Sequence, residues 1–264
     1  MQLIPAITYP EGEKPKLGQL ERLFSDWHRH FAANASAFRK HKPEDMVFDG
    51  FYPHYFSQKK KILFIGWEPV GISGENYMDV LYHAYHTTKT ISNRDLNNDK
   101  FHSRVLRIAF GIVNGMPKWD EIPSPREIGD MVGMAEGLSF ASMNISKLSN
   151  DNESSRADGD VIAAAYTLSI EGRNFIKEEV AILEPHVIIT MNTDRMPDNL
   201  SSLGSSELIH KHASGAVASW WQDVDGRRCL LIDTHHFSAR FKDDVADFYD
   251  PICDGIRRAV AAPN

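Results

Sequence analysis

The sequence has little cysteine and no long apolar run. Cys229 and Cys253 are its only cysteines, too few for a disulfide framework or for the thiolates that an iron–sulfur cluster usually takes. No apolar run approaches the roughly 18 residues that a membrane span needs, and residues 1–16 lack the basic and then apolar pattern of a secretion signal. These absences predict a cytoplasmic protein with no membrane partner.

The sequence also has no excess of positive charge. Its 29 Lys and Arg residues against 36 Asp and Glu residues give a formal charge of -7, which argues against a protein that coats nucleic acid through its overall field. An enzyme that grips a few phosphates locally stays compatible with this balance. With 42% apolar and 25% charged residues, the composition is that of an ordinary globular protein, and it leaves the oligomeric state open.

Short apolar runs bounded by turn-forming residues alternate with segments of helical periodicity. The runs predict strands over 62–65, 138–145, 187–191 and 229–232, and the periodicity predicts helices over 16–37, 101–113, 159–183 and 243–261. This alternation predicts an α/β fold, a three-layer α/β/α arrangement around a four-stranded parallel sheet. We expect residues 1–58 to form an N-terminal arm and helical extension, and residues 59–264 to form the α/β domain.

Polar residues follow or close the carboxyl ends of these runs, where open α/β sheets bind their ligands. They are Gly66, Asn144, Asn192 and His235. The first lies in GWEPVGISG (66–74), whose backbone N–H groups could face a phosphate. This loop has no lysine and does not match GxGxxG. Taken alone, it favours a tight turn with a solvated Glu68.

Two further polar segments could carry chemistry. In FASMNISKLSN (140–150), Asn144 offers a donor and an acceptor that suit a nucleobase edge, although the segment taken alone favours a local strand-end cap. In IDTHHFSAR (232–240), an imidazole could stabilise a developing anion, and Ser238 with Arg240 could hold a phosphate. A solvated polar loop is the alternative, and the absence of a G-x-S-x-G elbow argues against a hydrolase triad.

Metal binding is weighed because the chain has 12 histidines. None of them matches HExxH or a Cys/His zinc pattern. We therefore predict no metal and no cofactor.

Taken in order, these segments resemble the uracil-DNA glycosylase superfamily. KILFIGWEPVG (61–71) is similar to the family's first motif, an apolar strand entering a G-x-[D/N/A]-P loop, and MNISKLSN (143–150) resembles its strand-end Asn motif. LEPHVIITMN (183–192) resembles its third strand, and HFSAR (236–240) is similar to its His-Pro-Ser motif. The resemblance covers about residues 60 to 260 and leaves 1–58 unexplained.

The resemblance implies a divergent, uracil-DNA-glycosylase-like enzyme that flips a nucleotide out of DNA and hydrolyses its N-glycosidic bond. Glu68 matches the water-activating carboxylate, and His236 matches the residue that stabilises the departing base. Asn144 matches the residue that reads the base edge. Ser238 and Arg240 fall where the family's motif meets the DNA backbone and minor groove, and Lys147 joins them as a candidate for phosphate contact.

The sequence departs from the family pattern at several positions. Glu68 replaces Asp or Asn, and Trp67 brings a large ring that could stack on a base or line its pocket. Val70 stands where uracil-specific members have a tyrosine that excludes 5-substituted pyrimidines, so with Gly71 it predicts a pocket that admits a larger group at C5. Phe237 replaces the motif's proline, and Asn192 replaces a common glycine.

The leading hypothesis is therefore a monofunctional DNA glycosylase acting on uracil or a 5-modified cytosine or uracil, in DNA repair or in defence against phages. Its partner would be DNA, held through local phosphate contacts and a flipped base. The first alternative is a non-catalytic nucleic-acid-binding module that retains the fold, favoured by Phe237 and the acidic balance. The second is an enzyme that processes free nucleosides or nucleotides in the same crevice.

Overall fold

The computed structural model describes residues 2–38, 40–150, 157–191, 201–215 and 217–261. In these ranges the strands are β1 (Gly50–Phe51), β2 (Ile62–Gly66), β3 (Thr90–Ile91), β4 (Arg94–Asp95), β5 (Ala141–Asn144), β6 (Val187–Met191), β7 (Ser206–Lys211), β8 (Ala218–Val224) and β9 (Arg227–Thr234). The α-helices are α1 (Lys14–Ala33), α2 (Tyr77–His83), α3 (Lys100–Val113), α4 (Pro125–Met131), α5 (Gly159–Ile170), α6 (Phe175–Leu183) and α7 (Asp250–Ala261). Among the described residues, no helix is both long and apolar enough to cross a membrane.

The fold is α/β, built on a mixed seven-stranded sheet with the strand order β1-β5-β2-β6-β9-β8-β7. The four predicted strands are β5, β2, β6 and β9, which are neighbours and run parallel to one another. The prediction of a sheet limited to four parallel strands is wrong. β1 adds to one edge of the sheet, β8 and then β7 add to the other, and each of the three pairs antiparallel with its inner neighbour. A tight turn joins β8 to β9, so these two strands pair as a hairpin.

One predicted helix is two helices in the structure. The helix expected over 159–183 is interrupted between Ile170 and Phe175, where Gly172 adopts a left-handed φ of 73°. Asn174 then begins α6 by accepting a hydrogen bond from the backbone N–H of Lys177 at 2.8 Å. A glycine in this conformation followed by an amide cap stops one helix and starts the next.

The side chains of the parallel strands alternate between two apolar clusters. In β2, Leu63 and Ile65 join the cluster that packs under α1, α5 and α6, whereas Ile62 and Phe64 join the cluster that packs under α2, α3, α4 and α7. Successive side chains of a strand point to opposite faces, so a strand that is apolar throughout must be covered on both. Helices therefore pack on both faces of the sheet.

The N-terminal segment belongs to the same core. Trp27 of α1 is fully buried and stacks on Phe175 of α6 with the ring centroids 5.3 Å apart. β1 pairs with β5 at the edge of the sheet. Because these contacts run between residues 2–58 and the rest of the chain, the segment packs as part of one structure with the α/β core.

Three ionisable side chains meet inside this core. The Lys147 ammonium lies 2.6 Å from Asp49 Oδ1 and 2.7 Å from Glu179 Oε2, and all three side chains are at most 1% exposed. Burial alone lowers the pKa of Lys147, but the two carboxylates outweigh burial and raise it. Burial and the neighbouring Asp49 raise the pKa of Glu179 well above its usual range. Lys147 therefore stays charged in the core.

This cluster corrects one sequence-based assignment. Lys147 is predicted to contact DNA phosphate, but its side chain is 0% exposed and is held by two carboxylates, with its ammonium 4.9 Å from the centre of the Trp27 ring. A phosphate cannot reach it. The prediction is wrong because the helical layer of α1 and α6 covers this position.

We expect Lys147→Met to lower the free energy of unfolding by about 3–5 kcal/mol, because it leaves Asp49 buried without its counter-ion. Glu179→Gln should cost less than about 1 kcal/mol, since the raised pKa of Glu179 already favours its neutral form. Urea unfolding at neutral pH measures both. The matched control is Lys14→Met on an exposed lysine, with an expected change within about 0.5 kcal/mol. Equal stability of Lys147→Met and Lys14→Met would contradict a structural role for the ion cluster.

Candidate functional site

The candidate site lies at the carboxyl ends of the parallel strands, where Gly66 of β2 is paired with Asn144 of β5. The Asn144 side chain lies against Gly66 so closely that a Cβ at position 66 would come within 2.6 Å of its Oδ1. A larger residue at position 66 would therefore displace the Asn144 amide. The Asn144 backbone N–H donates to Asp49 Oδ2 at 2.7 Å, which ties this end of the strand to the buried ion cluster.

A small cavity opens beside this pair of residues. Its free space is about 20 Å³, which holds about one water molecule. The walls are mainly aromatic and apolar, and the polar groups come from a few side chains. The lining includes Phe64, Tyr77, Phe101, His102, Asn144 and Met191. An aromatic cavity with one amide on its wall suits a planar heterocycle, once its walls move apart to admit one.

The loop after β2 is fastened along the loop after β5. The backbone N–H of Ser146 donates to the carbonyl of Trp67 at 2.8 Å, and the N–H of Asn150 donates to the carbonyl of Pro69 at 2.8 Å. Trp67 Nε1 donates to the carbonyl of Met191 at 2.7 Å, and its indole packs against the apolar cluster under α1, α5 and α6, so it does not line the cavity as predicted. The first and second predicted motifs therefore form one rigid unit.

Val70 and Gly71 lie on the outer part of this unit. Val70 is 63% exposed and forms a β-bridge with Asn150, whose carbonyl also accepts a hydrogen bond from the N–H of Gly71 at 3.3 Å. Neither residue lines the small cavity. Their predicted contact with the base consequently requires a ligand that extends beyond the cavity toward the loop.

Glu68 lies in the same unit and is half-buried. Its Oε1 accepts a hydrogen bond from Asn150 Nδ2 at 2.8 Å, and its Oε2 is buried with no hydrogen-bond partner among the described residues. Burial raises the pKa of Glu68, and the amide of Asn150 and the backbone of Asp158 oppose this rise. A half-buried carboxylate whose pKa is raised has a property that a general base requires.

His236 follows β9 and is held in one tautomer. Its Nδ1 accepts a hydrogen bond from the backbone N–H of Ser238 at 3.3 Å and lies 2.7 Å from Ser238 Oγ. Because a backbone N–H can only donate, Nδ1 carries no proton and the neutral ring carries its proton on Nε2. Burial lowers the pKa of His236, which keeps the ring neutral. The ring therefore presents an N–H donor.

The same local pattern recurs away from the site. In the turn between β7 and β8, His212 Nδ1 lies 2.7 Å from Ser214 Oγ and accepts from the Ser214 N–H at 3.3 Å. The His-x-Ser turn is therefore a local structure that does not by itself mark a site. What distinguishes His236 is its contact with Phe101, at 5.6 Å between ring centroids.

Phe101 connects His236 to the cavity. Its ring contacts that of His236 on one side and lines the cavity on the other, next to His102. His102 is itself held by Tyr85, whose hydroxyl lies 2.9 Å from Nδ1, and burial lowers the pKa of His102 to about 4. Two neutral imidazoles thus flank the Phe101 ring.

The structure brings some predicted residues together and leaves others apart. Asn144 lies at the cavity and His236 is one ring away, whereas Trp67 packs on the apolar cluster under α1, α5 and α6. Among the described residues, no hydrogen bond, ion pair or ring contact joins Glu68 to His236. Ser238 and Arg240 are exposed on the loop that follows His236. Asn192 lies outside the described residues.

Sequence reasoning missed three residues of this region. Phe101 lies in the first turn of α3, and the sequence pattern predicts only a helix there, although the aromatic pair Phe101 and His102 begins two residues after the helix cap Asp99. Phe241 is 100% exposed between Arg240 and Lys242, an arrangement that the letters R-F-K already display. Arg104 is fully buried against the loop that carries His236, and no local sequence signal reveals this contact.

Within the described part of the chain, no three His, Cys, Asp or Glu side chains are grouped so that they could hold a metal ion. No protein-family model matches the sequence, and no curated protein matches it. The resemblance to the uracil-DNA glycosylase superfamily therefore stays a prediction from the sequence motifs.

Proposed function

We propose that this protein is a monofunctional DNA glycosylase that flips a non-canonical pyrimidine, uracil or a 5-modified cytosine or uracil, and hydrolyses its N-glycosidic bond. One observation carries the proposal: an amide, a neutral imidazole and an aromatic cavity converge at one edge of the sheet. Asn144 supplies the amide and His236 supplies the N–H donor. The four neighbouring parallel strands and the helices on both faces support the three-layer, uracil-DNA-glycosylase-like architecture that such an enzyme requires.

In the proposed reaction the flipped base enters between Phe64 and Phe101, and the Asn144 amide pairs with its edge. The bond between C1′ of the sugar and N1 of the base breaks, and the electron pair leaves with the base. His236 donates a hydrogen bond through Nε2 to the base oxygen on which negative charge develops. Glu68 orients a water molecule, takes its proton and directs its oxygen to C1′.

The exposed loop after His236 suits the DNA partner. Arg240 and Ser238 offer a cation and a hydroxyl for phosphate or minor-groove contact. Phe241, fully exposed beside them, would occupy the stack that the flipped base leaves. An apolar ring at this place is costly in water unless a partner covers it, which favours a role in binding.

The size of the cavity favours one alternative, a nucleic-acid-binding module without catalysis. Free space of about 20 Å³ does not hold a base without movement of Phe101 or its neighbours. A protein whose cavity never opens would bind DNA through the exposed loop alone. The excision experiment below separates this alternative from the enzyme, because binding would occur without release of a base.

The first test is a panel of labelled duplexes, each with one uracil or 5-modified pyrimidine, incubated with the protein and then treated with alkali. We expect at least one duplex to yield an alkali-labile site and the free base, with no strand cleavage before the alkali step. The unmodified duplex is the control. Binding to the panel with no base released from any member would contradict the enzyme proposal and support the binding module.

On the duplex that reacts, His236→Ala should lower the single-turnover rate by about 10²–10³-fold, because the donor to the departing base is lost. The matched control is His212→Ala, which removes the same ring from an identical His-x-Ser turn outside the site and should leave the rate unchanged. Equal rates for the two variants would remove His236 from the mechanism.

The single-turnover rate should be constant between about pH 7 and pH 8 and should fall toward acid pH. The pKa of Glu68 is raised by burial, so its carboxylate takes up a proton, and stops acting as a base, at a higher pH than an exposed glutamate. Glu68→Gln should lower the single-turnover rate between about pH 7 and pH 8, and it should remove the fall of the rate toward acid pH. The control is Glu75→Gln, an exposed residue of the same loop. An unchanged pH profile in Glu68→Gln would exclude Glu68 as the base.

A further inference from the structure

We propose that Arg104 is a positioning residue that fixes the loop of residues 236–242 and thereby orients the His236 donor. The catalytic consequence rests on the proposed function, whereas the structural part stands without it. Arg104 lies in α3, far from His236 in the sequence, and its side chain is 0% exposed. Its guanidinium touches no part of the cavity, so its role would be exerted through the loop.

The guanidinium uses each of its three nitrogens on this loop and the residues that follow. Nη1 donates to the carbonyls of Phe237 and Ala239, the latter at 3.0 Å. Nη2 donates to the carbonyl of Lys242 at 3.0 Å, and Nε donates to Asp244 Oδ1 at 2.8 Å. The plane of the group also lies over the Phe248 ring at 4.2 Å. One side chain therefore holds four points of a single segment.

Only arginine fits this arrangement. Three carbonyls and a carboxylate surround a planar fork of donors, and the flat face packs on an aromatic ring. A lysine ammonium is a compact charge with three donors, and it cannot reach four acceptors that lie around a plane. A buried cation is retained at such a cost only where its hydrogen bonds and counter-ion offset desolvation.

The anchored carbonyls lie on both sides of the group that sets the tautomer of His236. Ser238 stands between Phe237 and Ala239, and its N–H and hydroxyl hold His236 Nδ1. The hydrogen bonds from Arg104 fix the peptide groups on both sides of Ser238. They thereby fix the direction of the Ser238 N–H, which in turn sets the direction of His236 Nε2. The anchor at Lys242 likewise holds the backbone next to the exposed Phe241.

The competing explanation is that Phe237 alone positions the loop. Its ring is 0% exposed and contacts the rings of Phe64, Phe101 and Phe248. A single apolar anchor fixes the place of the loop but leaves the peptide groups free to rotate about it. The two explanations therefore differ in what happens to Ser238 and His236 when only the Arg104 contacts are weakened.

The test compares Arg104→Lys with Arg107→Lys. Arg107 lies one turn along α3, donates to the carbonyls of Trp119 and Ile122, and packs its guanidinium on the Trp119 ring at 3.9 Å. The substitution, the helix and the type of contact are matched, but Arg107 faces residues 119–122. Asp244→Asn is the milder second variant, because it weakens one Arg104 contact and leaves the three carbonyls in place.

Two measurements on the free protein decide the structural part. In Arg104→Lys, the ¹⁵N shifts of His236 should move from a single Nε2–H tautomer toward a mixture, and amide exchange over 236–242 should quicken by about tenfold or more. Asp244→Asn should change the ¹⁵N shifts and the amide exchange rates in the same direction but by a smaller amount. Arg107→Lys should change neither the shifts nor the exchange rates. Unchanged shifts and exchange in folded Arg104→Lys and in Asp244→Asn would overturn the proposal and favour Phe237 as the anchor.

On a reactive duplex, Arg104→Lys should lower kcat by about 10²-fold with a smaller change in KM, because the donor is misplaced while the binding surface remains. A protein that releases no base from any duplex would refute the proposed function, and the spectra of the free protein would still decide the role of Arg104. A wild-type kcat in a variant with an altered His236 tautomer would refute the catalytic consequence alone.

Discussion

Lys147 keeps its charge in the core because Asp49 and Glu179 flank it, and the rest of the site depends on this contact. The same Asp49 carboxylate accepts the backbone N–H of Asn144, so one buried anion holds both the cation and the end of β5. Glu179 belongs to α6, which packs against α1. The ion cluster therefore joins the layer of α1 and α6 to the end of β5, where the Asn144 amide lines the cavity. A movement of this helical layer would shift Asn144.

Close packing at the strand ends then limits what the site can be. Gly66 admits the Asn144 side chain because it has no Cβ, and the loops that follow the two strands are hydrogen-bonded along their length. The amide consequently faces the cavity from a rigid unit, as precise recognition of a planar ligand requires. Phe101 closes the other side from the first turn of α3. The amide and the aromatic ring that face each other across the cavity thus belong to different elements.

Much of this arrangement could be predicted from the sequence, because runs of Ile, Leu and Val with turn residues at their ends specify buried parallel strands. The carboxyl ends of parallel strands lie at the same edge of a sheet. The sequence therefore predicts that Asn144 lies near the loop that follows His235. Two features could not be predicted from periodicity, because both depend on local turns. They are the break at Gly172 inside an apolar helical pattern and the addition of β8 and β7 beside β9. The burial of Lys147 could not be predicted, because it depends on α1 and α6 meeting over it in three dimensions.

The formal charge of -7 does not describe the charge at each part of the surface, because individual carboxylates have hydrogen-bond and ion-pair partners. In the segment after Arg240, Asp243 accepts the N–H groups of Val245 and Ala246, and Asp244 binds Arg104. These carboxylates are engaged by helix amides and a buried cation, which reduces the field they exert on solvent. Arg240 has no carboxylate within 4.0 Å among the described residues, and it stands exposed beside Phe241. A protein with a formal charge of -7 can therefore present a locally positive edge at this arginine.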